Sequence, residues 1–326
     1  MPARYPCYTG RMPLDLGVHV GQQNMTADEM RALWRRCDDA GLDWISAWDH
    51  LYEAPPEGGT VPHFEAVATL GALAAETSCA RIGCLVFYVG YRNPALLAKA
   101  ATTLDHLSGG RFVLGLGAGW HEWEAAAYGY EFPALTTRLD MLEEAVPLIK
   151  SMLTQERTTF DGNHFRTADA SCLPRPVQDP LPVWVGGVGE KRTLRIAARW
   201  ADGWNAAYIT AEEYGRLNRV LDGWCETEGT DADRIERTIN LTFNLGVDEA
   251  AVEAQRMRLA EQWGAMAERI AGGSLLCTPD EATERILTYA EAGADGVNVA
   301  LRAPWETEAL DAFLDDVVPA VRVATA

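Results

Sequence analysis

Along the chain, short apolar runs alternate with longer stretches in which apolar residues return every three or four positions. The short runs are Leu14–Val20, Asp43–Asp49, Ala80–Tyr88, Arg111–Gly119, Pro182–Gly187, Asp202–Tyr208, Thr238–Gly246 and Asp295–Leu301. They read as eight strands, several apolar on both faces, as strands covered on both sides should be. The stretches between them open on helix-start signals. Thr26-Ala27-Asp28-Glu29 has the spacing of a capping box, Asn93-Pro94 places proline at a first helical position, and Thr278-Pro279-Asp280-Glu281 combines both devices. Glycine marks the helix ends before the next strand, at Gly41, Gly109 and Gly293.

Strict strand–helix alternation implies a parallel sheet of the α/β class, and eight repeats suggest closure into a (β/α)8 TIM barrel. An open doubly wound sheet is the competing arrangement. Two stretches break the rhythm. Residues 156–181 read as a hairpin followed by a proline-rich loop, and residues 263–278 are an extra segment before the Pro279 helix. Insertions of that length beyond barrel strands are where lids over a site are built. No internal repeat or low-complexity tract stands out, so one domain over residues 1–326 is expected, although the length alone also admits two.

Composition narrows the function. A net charge of −19 speaks against nucleic acid, whose binders need basic stripes to displace counterions. The bases are nearly all arginine, with lysine only at positions 99, 150 and 191, so any anion site must be local. No run suits a signal peptide or a membrane span, and a cytoplasmic protein without membrane contact is the expectation. The seven cysteines are odd in number and widely spaced, with no C-x-x-C pair. They read as buried small hydrophobes in a reducing compartment, with no metal site among them.

Three constellations carry candidate chemistry. Trp48-Asp49-His50 ends the second strand, where side chains project into the mouth in which barrel enzymes work. Histidine there can exchange a proton or hydrogen-bond a cofactor ring, or it can simply cap the strand. Asp49 alternates to the opposite side, to position neighbouring loops. Gly115-Leu116-Gly117-Ala118-Gly119-Trp120 looks like a dinucleotide fingerprint, but Trp120 occupies the third glycine's place and the motif sits in the fourth strand. Its alternate glycines instead bare one face of a strand for a flat ring. Val185-Gly186-Gly187-Val188-Gly189-Glu190-Lys191-Arg192 joins the fifth strand to its helix. It is either a tight turn or an anion cradle of backbone N–H groups at a helix N-terminus, with Lys191 and Arg192 adding charge. Arg111, at the opposite end of the barrel, reads as structural. Most tryptophans read as core, with Trp120, Trp123 and Trp204 set aside as walls of an aromatic pocket.

In order, GVHVGQQNMT, WDH, LAAETSCARIG, RNPALLAKAATTLDHLSGGR, LGLGAGW, CLPRPVQ, GGVGEKRTLRIAARWADGWN and AEAGADGV resemble the luciferase-like monooxygenase superfamily, in its coenzyme F420-dependent branch. The resemblance covers nearly the whole chain, and flavin mononucleotide (FMN) members share much of it. It implies that His50 contacts the deazaflavin near the carbon that exchanges hydride and is the catalytic residue. It implies a non-proline cis peptide at Leu85-Val86 beneath the ring, with Gly117, Ala118 and Gly119 bordering it. Backbone N–H groups of Gly186, Gly187 and Val188 would hold the cofactor phosphate, with Lys191 or Arg192 nearby, and Gly189 and Asp49 belong to the same cofactor-binding set. Some sugar-oxidising members carry a proton-donating glutamate directly after the G-x-G. This chain has Trp120 there, which argues against a sugar substrate. The expected activity is F420-dependent hydride transfer to or from a small organic molecule, in a chain that forms homodimers. The alternatives are an FMN monooxygenase fed by a partner reductase and a non-catalytic cofactor-binding protein.

Overall fold

The computed structural model describes residues 14–53 and 58–326. Cys7 lies outside the described residues. β1 (Asp15–Val20) runs into α1 (Ala27–Asp39), β2 (Trp44–Ala47) into α2 (Ala66–Glu76), and β3 (Arg81–Tyr88) into α3 (Pro94–Ser108). β4 (Phe112–Gly117) precedes α4 (Glu122–Ala127) and α5 (Leu135–Thr154). An antiparallel hairpin, β5 (Thr158–Asp161) and β6 (Arg166–Ala170), then stands apart from the main sheet. The barrel resumes with β7 (Val183–Gly186), α6 (Thr193–Trp200), β8 (Gly203–Ala207), α7 (Ala211–Glu228) and β9 (Glu236–Phe243). After α8 (Glu249–Trp263) and α9 (Ala267–Gly272) come β10 (Ser274–Leu275), α10 (Pro279–Glu291) and β11 (Gly296–Leu301). α11 (Thr307–Ala312), a π turn and α12 (Val318–Thr325) close the chain.

All pairings in the main sheet are parallel, and β8 pairs with β9, which closes the eight long-range strands into a barrel. The open doubly wound alternative is thereby removed. The extra segment before α10 is part of the wall: β10 pairs with Thr242 and Phe243, continuing the sheet above the point where β8 ends. The expected caps are present. Thr26 and Glu29 form a reciprocal capping box, as do Thr278 and Glu281, and the Asn93 side chain caps Ala95 ahead of Pro94. Arg111 is structural as read, its guanidinium donating to the carbonyls of Ala74, Thr77 and Ala80. Cys79 departs from the reading, being exposed. The Asp38 carboxylate gathers the N–H groups of Ser78, Cys79 and Ala80 into a turn, and that turn points the thiol outward. No helix among the described residues is long and apolar enough to cross a membrane.

The barrel interior is layered. At the N-terminal end Arg81 bonds Asp15 and Glu236 and lies over the stacked Trp44 and Trp184 rings, whose centroids are 5.0 Å apart. Leu85 and Val113 complete that inner apolar layer. Nearer the mouth the lining turns polar. Asn205 donates to Thr238 and Asn240, Asn298 donates to Asn240, and His19 pairs with Ser46. A polar layer this deep keeps its place only because its members satisfy one another.

His19 is buried, and desolvation, with the nearby Arg302 charge adding to it, pulls its imidazole from the ordinary 6.5 down to about 3. A depressed folded-state pKa stabilises the fold above the unfolded value of 6.5, and that contribution disappears as pH falls toward 3. His19→Gln should therefore gain on the wild type by about 2–3 kcal/mol between pH 7 and pH 4.5, whatever its stability at neutral pH. Paired urea titrations at the two pH values measure this. A constant difference between the two proteins would refute it.

Candidate active site

β2 stops at Ala47, so Trp48, Asp49 and His50 stand above the sheet at the C-terminal mouth. His50 is partly exposed, and its Nδ1 lies 2.8 Å from Oε1 of Glu124, on α4. Glu124 is buried, yet its carboxyl sits below the ordinary range. Burial raises it, but the His50 hydrogen bond and charge and the Leu51 N–H together outweigh that. Tyr91 Oη and the Leu51 and Tyr52 N–H groups also donate to it. An ionised carboxylate only accepts, so Nδ1 must carry the hydrogen. Nε2 makes no bond with the described residues and is free for a ligand. Sequence reading missed Glu124. Its signal was faint: the second acid of a Glu-Trp-Glu step, seven residues past the end of the fourth strand.

Around this pair the aromatics are dense. The Trp48, Trp120 and His121 rings lie within 6 Å of His50, and Trp120 and Trp123 are more than half exposed. Trp204 does not belong with them. It points away from the barrel axis, fully buried, stacked on Tyr214 of α7 and donating to the Gly187 carbonyl. Alternation along β8 puts Asn205, and not Trp204, inside.

The floor of the mouth is the Leu85–Val86 step. The peptide is cis, and the pairing of β3 with β4 shifts register between Cys84 and Phe87. The bare glycine faces have a different use from the one expected. A Cβ at Gly117 would fall 2.4 Å from the Val86 side chain, and one at Gly186 would fall 2.5 Å from it. The space those glycines leave is filled by Val86, and it is Val86, partly exposed, that presents a surface to the mouth. Gly119 has a left-handed φ of 70° and packs under the Tyr88 ring, with Ala118 between them half-buried.

The loop after β7 is exposed over Gly187, Val188 and Gly189. Gly187 does not offer its N–H to an anion, because that group donates to the Asn205 carbonyl at 3.0 Å. The open donors are the N–H groups of Val188 and Gly189, which donate to nothing among the described residues, while the Gly189 carbonyl accepts from the Leu194 N–H. Gly186 ends the strand behind them. Arg192 is also spoken for, since its guanidinium bridges Asp140 and Glu143 on α5. Lys191 remains exposed as the local cation. Asp49 is buried and takes two hydrogen bonds from Arg92 and one from the Tyr88 N–H. It anchors the turn after β3 and does not reach into the mouth.

An apolar floor presented by Val86, two N–H groups on an exposed loop without an acceptor among the described residues, and an imidazole with one free nitrogen fit a flat ring with an anionic tail. Val86 would underlie the ring, Val188 and Gly189 would hold the anion, and His50 would face the reacting edge. Fold and mouth together define a (β/α)8-barrel oxidoreductase. The chain belongs to the luciferase-like monooxygenase family, whose model matches residues 12–296.

Among its relatives, an F420-dependent glucose-6-phosphate dehydrogenase of Kineococcus radiotolerans is 30% identical, covering 96% of this chain and 99% of that protein. An enzyme of the same name from Amycolatopsis mediterranei is 28% identical over 88% of this chain and 92% of its own. Among solved structures, an F420-dependent secondary alcohol dehydrogenase superposes with a TM-score of 0.84 at 22% identity, covering 95% of this chain and 99% of that one. The F420-dependent tetrahydromethanopterin reductase of Methanopyrus kandleri gives 0.79 at 19%, covering 94% and 99%. At those identities the two structures speak to the fold.

Proposed function

We propose that this protein is a cytoplasmic F420-dependent oxidoreductase that transfers hydride between the deazaflavin and a small organic substrate other than a sugar phosphate. The observation that carries this reading is the His50–Glu124 pair, set at the mouth with Nδ1 committed and Nε2 open. The names of the relatives support the cofactor. Trp120, at the position after the G-x-G, removes the acid that sugar oxidation would call on.

When bound, the deazaflavin supplies hydride transfer without ready activation of oxygen. The chain's own residues do the rest. Val188 and Gly189 bind, Val86 sets the depth and tilt of the ring, and His50 gives or takes a proton at Nε2 beside the reacting carbon. Glu124 selects the tautomer and stabilises the imidazolium when it forms. Trp120 and Trp123, standing over the mouth, exclude water once substrate is in place.

The test is a fluorescence titration with F420 and with FMN. F420 should bind at least tenfold more tightly, about 1.4 kcal/mol. Val188→Asp, which puts a carboxylate on an exposed loop without touching the core, should weaken F420 about tenfold at unchanged stability. Equal or reversed affinities, with oxygen-dependent turnover of reduced FMN, would establish the monooxygenase reading instead. Tight F420 binding with no transfer to any acceptor would establish a carrier.

A further inference from the structure

Across the barrel from the Val188 loop, the ends of β1, β9 and β11 and the α8–α9 segment enclose a cavity of about 670 Å³. Arg302, one residue past β11, lines it. Its guanidinium lies over the Trp48 ring at 5.5 Å and the Tyr208 ring at 5.8 Å. Its Nε is buried without a hydrogen bond, and no carboxylate among the described residues pairs with it. The Thr242 hydroxyl in the same wall is likewise buried and unmet. An arginine held this way, with no counter-ion, is a standing site for an anion.

The other charges in the cavity limit which anion. Arg258 is tied to Glu306 at 2.7 Å. Glu53 is saturated by the N–H groups of Gly59 and Thr60 and by the Thr60 hydroxyl, and Glu261 adds a further negative charge. One open cation among three carboxylates suits a single negative charge and repels a phosphate dianion. Trp263 and Trp305 give the cavity flat apolar walls. Trp48 links it to the reaction centre: Arg302 packs on one part of the indole, and His50 lies 5.9 Å from the same ring.

We propose that this cavity is the substrate subsite and that it takes a small monocarboxylate, its carboxylate on Arg302 and its reacting end toward His50. That the anion is substrate rests on the function proposed above; that it binds at Arg302 does not. The probes are benzoate, its neutral isostere benzamide, and glucose 6-phosphate, titrated into cofactor-free protein by calorimetry. Benzoate should bind at least tenfold more tightly than either of the others. Arg302→Met should cost benzoate at least tenfold and leave benzamide unchanged, Arg302→Lys should retain part of the affinity, and Arg258→Met should have no effect. F420 affinity should be the same in wild type and Arg302→Met.

Benzoate no tighter than benzamide in the wild-type protein overturns the proposal without reference to any variant. So does benzoate binding that survives Arg302→Met. A selective loss of F420 affinity in Arg302→Met also overturns it, by giving the arginine to the cofactor's own anions. If the wild type binds benzoate as expected but not F420, the subsite stands and the proposed function falls.

Discussion

His50→Ala is expected to lower the rate of hydride transfer per folded site by roughly 10²–10⁴, while F420 affinity changes by less than about threefold. The separation follows from the layout. Binding is assigned to the Val188–Gly189 donors and the Val86 floor, whereas His50 offers one nitrogen at the reacting edge and gives the other to Glu124. Glu124→Gln refines the experiment. The amide keeps the shape but neither demands the hydrogen on Nδ1 nor stabilises an imidazolium, so it should slow transfer with a smaller effect and displace the pH profile. Single-turnover oxidation of bound reduced cofactor reads the rate, with the folded fraction measured in parallel. If His50 only caps the strand, the variant will lose stability and keep near-full turnover per folded molecule. That result would remove His50 from the mechanism.

The barrel was legible because its signals are periodic and local. Eight apolar runs, separated by helices with their own caps, leave few other ways to pair, and the closing β8–β9 contact follows from the count. His50 and the Val188 loop were legible for a related reason: each sits directly past a strand end, so chain position alone places it at the mouth. What remained hidden depends on pairings that sequence spacing does not encode. Glu124 reaches His50 across 74 positions, and nothing in a Glu-Trp-Glu step says that its second acid turns inward. The alternate glycines showed that side chains were missing from one face, but not that Val86, on the neighbouring strand, takes the space. Arg192 looked like a free base because its partners, Asp140 and Glu143, lie one helix away. Gly187 looked like a free donor because the sheet bond to Asn205 runs one residue past the end of the strand.

Asp49 is where grouping by motif and grouping by contact part most sharply, and its removal should have the largest effect on stability. It sits next to His50, yet its carboxylate is buried, 2.7 and 2.8 Å from the Arg92 guanidinium and 3.1 Å from the Tyr88 nitrogen. Burial pushes its carboxyl up to about 6, with Arg92 opposing, so above that pH the pair is ionic. Asp49→Ala at pH 8 leaves a mostly buried guanidinium with only the more exposed Glu65 for company, and should cost about 3–5 kcal/mol in a urea titration. Arg92→Met in the same protein removes the stranded charge and keeps an apolar stem against Phe87, so the double variant should recover at least about 1 kcal/mol over Asp49→Ala alone. F420 affinity per folded molecule should stay within a few-fold, because the residue faces the turn after β3 and not the mouth. A variant that keeps its stability but loses F420 would return Asp49 to the cofactor site. Strictly additive losses in the two single variants would mean that the ion pair is not what holds the turn.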